Sequence, residues 1–187
     1  MKRRLLIVLV PCVFLLLLLP ASKVAAQKPD DNPFDVSVYQ EEISALGVPT
    51  TKEVEDLAAK AKQLFESGNY EEALPALQEW ARKANWLANI VSGALEPFYS
   101  ASYDARKQFP YDKVKNLTPY ESAANRLKLD RNHAMVMQAE CLVKLDKPTE
   151  AVGIYLKALD LTDIEDWTWW TRALNGLYRI IGMPGIQ

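Results

Sequence analysis

The chain has 187 residues, of which 49% are hydrophobic and 25% charged, ordinary fractions that predict one soluble domain. Its formal charge is −2, and residues 1–26 hold four basic side chains and no acid, so removing those four positive charges leaves −6 on the remainder. A chain with this acidic balance lacks the basic footprint of nucleic-acid-binding proteins, and no nucleic-acid partner is expected.

Residues 1–26 have the three parts of a secretory signal peptide: a basic start at 2–4, an apolar run at 5–19 and small residues for cleavage at 24–26. The alternative is an uncleaved membrane anchor. It is disfavoured because the apolar run is shorter than the roughly 20 residues of a spanning helix and contains Pro11. We expect export to the periplasm or the medium, with membrane contact only in transit.

Residues 27–51 are rich in prolines and acidic side chains and are predicted to form an extended arm or linker. A helical domain is expected over 52–187, with Thr50 or Thr51 as the N-cap of its first helix. After cleavage Cys141 would be the only cysteine, which excludes an internal disulfide and cysteine-ligated metal. Its apolar surroundings predict a buried thiol.

The stretch 58–83 has the pattern of two helices joined by a tight turn. Gly68 is placed to end the first helix in a left-handed conformation, and small residues at Ala61 and Ala73 would let the helices approach closely. Apolar side chains recur at helical spacing on both sides of the turn. They are Leu57, Leu64, Phe65, Tyr70, Leu74, Leu77 and Trp80.

A second copy of the pattern covers 136–161. Asp146 stands at the turn position of Gly68, and Ala151 stands 78 residues after its equivalent, Ala73. Two periods of about 34 residues leave roughly ten residues over, so the spacing predicts a degenerate, lengthened middle repeat between the copies.

Both copies resemble the tetratricopeptide repeat (TPR). The matching positions are Leu57, Ala61, Leu64, Gly68, Tyr70, Ala73 and Leu77 in the first copy and Ala139, Leu142, Ala151, Tyr155 and Ala158 in the second. Trp80 departs from the family, which has a small residue there. The resemblance implies an all-α, TPR-like helical-hairpin solenoid of about three repeats, the middle one degenerate and lengthened, followed by a C-terminal capping helix.

The capping helix is predicted to start near Asp163 or Asp166 and to end before Gly182. Its apolar face is predicted to hold Trp167, Trp170, Leu174, Leu177 and Ile181. Trp169 falls off this face, which predicts an exposed ring that could belong to an interface.

In the TPR family the first helix of each repeat lines a concave groove. Carried onto this chain, the resemblance implies groove positions at Glu55, Ala58, Lys62 and Phe65, and at His133, Val136, Glu140 and Lys144. Grooves with aromatic and mixed-charge side chains suit peptides or protein segments. With Trp169 added, the candidate partner-binding residues are Glu55, Lys62, Phe65, His133, Glu140, Lys144 and Trp169. The alternative for each is ordinary solvated surface.

Catalytic and metal-binding patterns are not recognisable. His133 is the only histidine, which rules out a two-histidine zinc helix, and the seven glycines are too far apart for a phosphate-binding loop. Four acids lie together at Asp160, Asp163, Glu165 and Asp166. They are interpreted as charge that complements a helix dipole rather than as a metal site. No cofactor, metal or enzymatic activity is expected.

The favoured hypothesis is an exported adaptor that holds a partner protein or peptide in its groove, with cell-envelope assembly as the suggested setting. The alternative is an exported small-ligand-binding helical protein, with a pocket near Pro97 into which His133 or Arg106 points. A third hypothesis, an unrecognised enzyme, would require a cleft with perturbed titratable groups. A closed apolar pocket would favour the ligand-binding protein, and an open groove with charged walls would favour the adaptor.

Overall fold

The structure is a computed structural model that describes residues 47–186. Over that range the chain forms seven α-helices and no strand, which confirms the all-α prediction. The helices are α1 (Thr51–Glu66), α2 (Tyr70–Ala94), α3 (Tyr103–Arg106), α4 (Tyr111–Val114), α5 (Thr118–Lys144), α6 (Pro148–Leu161) and α7 (Trp167–Ile180). The predicted signal peptide, 1–26, and most of the predicted arm, 27–51, lie outside the described residues. Between residues 47 and 186 no helix combines the length and apolar character needed to cross a bilayer.

The first helix begins where the sequence predicts. Thr50 is the N-cap of α1, and its hydroxyl accepts a hydrogen bond from the backbone N–H of Glu53 at 3.2 Å. This bond satisfies one of the backbone donors that every helix start leaves unpaired. Of the two threonines named by the sequence, Thr50 is therefore the cap, and Thr51 is the first helical residue.

Two hairpins, α1–α2 and α5–α6, turn on the same backbone geometry. Gly68 and Asp146 both adopt positive φ, at 78° and 58°. The backbone bonds that close the turns run from Gly68 to Phe65 and from Asn69 to Leu64 in the first hairpin, and from Asp146 to Val143 and from Lys147 to Leu142 in the second. Each member of the second set stands 78 residues after its counterpart, so the predicted register between the copies is confirmed.

The hydrophobic core runs between the hairpins, where α2 lies along α5 in the most extensive helix–helix contact of the described chain. Small side chains permit the close approach within each hairpin: Ala61, Ala73, Ala139 and Ala151 are all fully buried. Trp80, the residue that departs from the TPR pattern, is also fully buried. The large ring is accommodated within the core itself.

The predicted middle repeat is not a third hairpin. Residues between the two copies mainly lengthen α2 to Ala94 and let α5 begin at Thr118. The remaining residues, 95–117, form turns and the two four-residue helices α3 and α4. The described chain therefore has two hairpins in direct contact rather than three repeats.

The final helix is rotated relative to the prediction. Trp167 and Ile181, assigned to its apolar face, are 50% and 54% exposed. Ala173 and Leu177 are the buried residues of α7, and Trp169 is half-buried against the core. The prediction that Trp169 lies off the buried face is wrong, because the face that contacts the rest of the chain passes through this ring.

Candidate functional site

One surface of the molecule carries all seven candidate residues. Glu55, Lys62 and Phe65 lie on α1, His133, Glu140 and Lys144 lie on α5, and Trp169 lies on α7. We call the surface formed by these seven residues, together with Asp130, Asp166 and Arg172, the inner face. Its helices are the first helix of each hairpin and the helix that follows the second hairpin.

A ladder of stacked side chains joins α5 to α7. His133 Nε2 lies 2.8 Å from Asp166 Oδ2, at the start of α7. The His133 ring stacks on Trp169, with ring centroids 4.2 Å apart and planes inclined by 15°. The Arg172 guanidinium lies 4.5 Å from the centroid of the same Trp169 ring. Successive contacts therefore fix both the position and the rotation of α7.

Arg172 ties the ladder to all three helices of the inner face. Its Nε and Nη2 donate to the two Glu140 oxygens at 2.7 and 2.5 Å, a bidentate pair with α5. Its guanidinium carbon also lies 5.9 Å from the centroid of the Phe65 ring, on α1. The hydrogen bonds to Glu140 raise the pKa of Arg172, outweighing the opposite effect of burial. Charge-assisted bidentate pairs are among the stronger polar contacts in proteins.

Lys62 covers the buried ring that departs from the family pattern. Its Nζ lies 5.0 Å from the centroid of Trp80, a cation–π arrangement. In the second hairpin the equivalent of Trp80 is Ala158, which is likewise fully buried. Lys62 therefore has a packing role beside its exposed charge, and a substitution there tests both.

The Asp130 carboxyl, on α5, is influenced by several charged groups of the inner face. Burial raises the pKa of this carboxyl, the positive charges of Arg126, Lys62 and His133 oppose the rise, and Glu55 adds to it. These charges act on one another because they share a partly desolvated surface. The candidates from α1 and α5 thus meet around an acid that the sequence did not single out.

Two depressions adjoin the ladder and have opposite charge. The first, about 570 Å³, is lined by Leu129, His133, Asp163, Glu165, Asp166, Thr168 and Trp169. The second, about 470 Å³, is lined by Phe65, Tyr70, Glu140, Val143, Lys144, Tyr155, Arg172, Asn175, Gly176 and Arg179. The inner face is therefore acidic near the start of α7 and basic with aromatic walls near its end.

The predicted groove residues are brought together unevenly, and Val136, which the resemblance placed in the groove, is fully buried instead. Phe65, His133, Glu140 and Trp169 belong to the ladder or contact Arg172. Lys62 and Glu55 lie near Asp130, while Lys144 is exposed at the rim of the basic depression.

Lys144 does not stand at the position that is equivalent to Phe65. The residue 78 positions after Phe65 is Val143, so Lys144 lies one residue beyond the equivalent of Phe65. It lines the basic depression nonetheless.

Arg172 and Asp130 were missed in the sequence, and Asp166 was assigned to helix-dipole charge rather than to the inner face. Arg172 stands three residues after Trp169, and Asp130 three before His133, which is the spacing of neighbours on one helix face. That spacing could have found both residues once the inward side of each helix was known. Asp166 lies just before α7, where no helical spacing applies.

The acidic cluster divides between two structural contacts. Asp166 pairs with His133, and the Asp163 carboxylate accepts a bond from the backbone N–H of Glu165 at 3.0 Å. Within residues 47–186 no group of three or more histidine, cysteine or acidic side chains is arranged to hold a metal ion. Cys141 is buried as predicted, and burial raises the pKa of its thiol to about 12.

The segment around Pro97 holds an open cavity of about 530 Å³, lined by Pro97, Ser100, Ala101, Ala105, Gln108 and Phe109. Arg106 does not line it. Its guanidinium pairs with Glu121 at 2.6 Å and donates to the backbone carbonyls of Tyr99 and Ala101. This arginine fastens the segment to α5, which is a structural role.

Comparison with protein-family models, curated proteins and solved structures gives no match to the chain in any of the three. The geometry of the inner face is therefore the basis on which a function is inferred.

Proposed function

We propose that the chain is an exported, TPR-like adaptor that binds an extended segment of a partner protein across the inner face. The observation that carries the proposal is the ladder from Asp166 to Glu140, which holds residues of α1, α5 and α7 on one open, charged surface. Export is supported by the signal-peptide pattern of residues 1–26. No catalytic role is proposed.

The repetition of helix contacts supports a TPR-like arrangement. α5 packs mainly on α2 and touches α1. In the same way, α7 packs mainly on α6 and touches α5. Each hairpin is therefore followed by a helix that covers it in the same manner, as in a solenoid whose units contact only their neighbours. The first helices of the two hairpins, α1 and α5, and the helix that follows them, α7, consequently lie on the same side of the helix array.

The charge distribution supports a protein segment as the occupant. The acidic depression beside His133 would favour a basic side chain, and the basic depression beside Lys144 and Arg179 would favour an acidic one. Aromatic side chains and arginine, here Trp169, Phe65 and Arg172, are the groups that most often carry binding energy at protein interfaces. We therefore expect a partner segment with separated basic and acidic residues.

The test is purification of the full chain from its native envelope or medium, with mass spectrometry of what accompanies it. A stoichiometric protein partner should be lost when Lys62 and Lys144 are both changed to glutamate. Lys60→Glu is the matched control, because Lys60 is exposed on α1 about half a helical turn round from Lys62. Retention of the partner by the double variant, or equal loss with the control, would contradict the proposal.

A further inference from the structure

A second cavity lies between α2, α5 and α6, away from the inner face. It has a volume of about 540 Å³, and α5 contributes Arg131, Met135 and Gln138 to its lining. These positions are about half a helical turn round α5 from His133 and Glu140. We call it the outer cavity. Its volume falls within the range of small-ligand sites.

All titratable side chains that line the outer cavity are cations: Arg82, Arg131 and Lys157. Arg82 is paired with Glu79 at 2.7 Å. Arg131 is half-buried, and within residues 47–186 no carboxylate forms an ion pair with it or with Lys157. The cavity therefore has two positive charges without a counter-charge.

Neutral groups hold Arg131 in place. Its Nη1 donates to Asn85 Oδ1 at 2.8 Å and its Nε to Asn132 Oδ1 at 2.9 Å. Asn132 is itself buried and donates to the backbone carbonyl of Leu161 at 2.7 Å. The guanidinium is thus fixed by amide oxygens that leave its charge uncompensated, and burial lowers its pKa. A desolvated cation without a counter-ion is costly.

The remaining walls of the outer cavity are largely apolar. Met135 comes from α5, and Ile154 and Leu161 come from α6. An occupant that matches both features carries one negative charge and an apolar part. A planar carboxylate fits the planar, multi-donor guanidinium better than a spherical anion does.

We propose that the outer cavity binds a small carboxylate with an apolar tail, its carboxylate on Arg131 and Lys157 and its tail against Met135, Ile154 and Leu161. This site goes beyond the adaptor function and does not rest on it, because none of its residues belongs to the inner face. Failure of one proposal leaves the other standing.

The experiment is calorimetric titration of the full chain with octanoate, 1-octanol and acetate, each below its aggregation limit. Octanoate should bind at least about ten-fold more tightly than either of the others, and it should raise the Tm. Equal binding of 1-octanol would reduce the site to an apolar surface, and equal binding of acetate would reduce it to a general anion site. Each of these results overturns the proposal, as does absence of binding.

Variants locate the site. Arg131→Gln should weaken octanoate binding at least about ten-fold, and Arg131→Lys should weaken it less. Since Arg131→Gln could disturb Asn132, Lys157→Glu provides a second variant on an exposed position that should weaken binding several-fold. Arg179→Gln, on the basic depression of the inner face, is the control and should bind octanoate normally. Normal binding by Lys157→Glu and Arg131→Gln would overturn the assignment.

Discussion

The two hairpins share what their backbones require and differ in what fills the space beside them. Both turn on a residue with positive φ and close on the same pair of hydrogen bonds, and both place a fully buried alanine at each close approach. Yet Trp80 in the first hairpin corresponds to Ala158 in the second, and Leu77 corresponds to Tyr155. The constraint on this fold therefore lies in the turn and the small residues, while large core side chains vary with their neighbours.

The most severe test of the comparison inserts a large ring at a small position of either hairpin. Ala151→Trp should lower the free energy of unfolding by about 1–3 kcal/mol or more, because overpacking a close contact forces backbone shifts. Ala73→Trp should cost a similar amount, since both alanines are fully buried. Urea titration measures both. Near-wild-type stability of either variant would break the equivalence of the hairpins.

The rotation of α7 can be tested with its tryptophans. Trp169→Ala should cost about 2 kcal/mol, since the ring is half-buried and stacks on His133. Trp167→Ala should cost about 0.5 kcal/mol or less, because Trp167 is 50% exposed. Denaturant titrations of the two variants measure both losses of stability. A larger loss for Trp167→Ala than for Trp169→Ala would mean that α7 packs on the rest of the chain with the face that holds Trp167.

Tyr155 stands in the second hairpin where the first hairpin has Leu77. Its larger side chain needs space that α7 leaves at Gly176. A Cβ added at Gly176 would lie 2.4 Å from Tyr155 Cζ, so Gly176→Ala should destabilise by about 1–2 kcal/mol. Gly153→Ala is the matched control, because Gly153 is an exposed helical glycine with open space around it. It should stabilise by about 0.5–1 kcal/mol. Thermal unfolding that gives both changes the same sign would contradict this account of Tyr155.

The turns offer a smaller and more local test. Gly68→Ala should cost about 1 kcal/mol, because an L-residue is strained at positive φ. Gly68→Asp should cost less, since aspartate tolerates this region and already occupies it at Asp146. Asp146→Gly should be neutral or slightly stabilising. Chemical denaturation measures the loss of unfolding free energy for each variant. Equal losses for Gly68→Ala and Gly68→Asp would show that the turns at Gly68 and Asp146 are not equivalent.

The smallest effect concerns the acid on the inner face. Because burial raises the pKa of Asp130, the folded chain binds more protons than the unfolded chain above the ordinary aspartate pKa of about 4. The contribution of the Asp130 carboxyl to the free energy of unfolding therefore falls as the pH rises above about 4. Asp130→Asn should raise the Tm at pH 7 and lose this advantage below about pH 4. A constant difference between the two proteins from pH 3 to pH 7 would show that the carboxyl is not desolvated.

Local patterns in the sequence predicted much of the fold. The cap at Thr50, the turn at Gly68, its counterpart Asp146 and the burial of Cys141 each depend on nearby residues or on a regular apolar spacing, and all four are confirmed. They were accessible because caps, left-handed turns and helical periodicity are set within a few residues of the chain.

The features that the sequence predicted wrongly depend on contacts between distant segments. The middle repeat was inferred from a spacing of 78 residues, but the surplus lengthens α2 and α5, whose small residues Ala84, Ala88 and Ala124 are buried where these helices pack together. The rotation of α7 was misjudged because tryptophans stand on several sides of it. A charged residue, Arg172, also lies on the inward side, where it forms a bidentate pair with Glu140.

The same reason explains the uneven prediction of the candidate site. Glu55, Lys62, His133 and Glu140 came from a repeat register that holds along the chain. Arg172 and Asp166 could not be found in this way, because their importance arises from partners on α5 that are more than 30 residues away.

Site-specific photo-crosslinking in the native source tests whether the partner lies on the inner face. A photoreactive residue would replace Lys62 or Lys144 on the inner face, with Lys60 as the control position. The account predicts one protein partner crosslinked from both inner-face positions and none from Lys60. The same partner captured from Lys60 but from neither Lys62 nor Lys144 would contradict it.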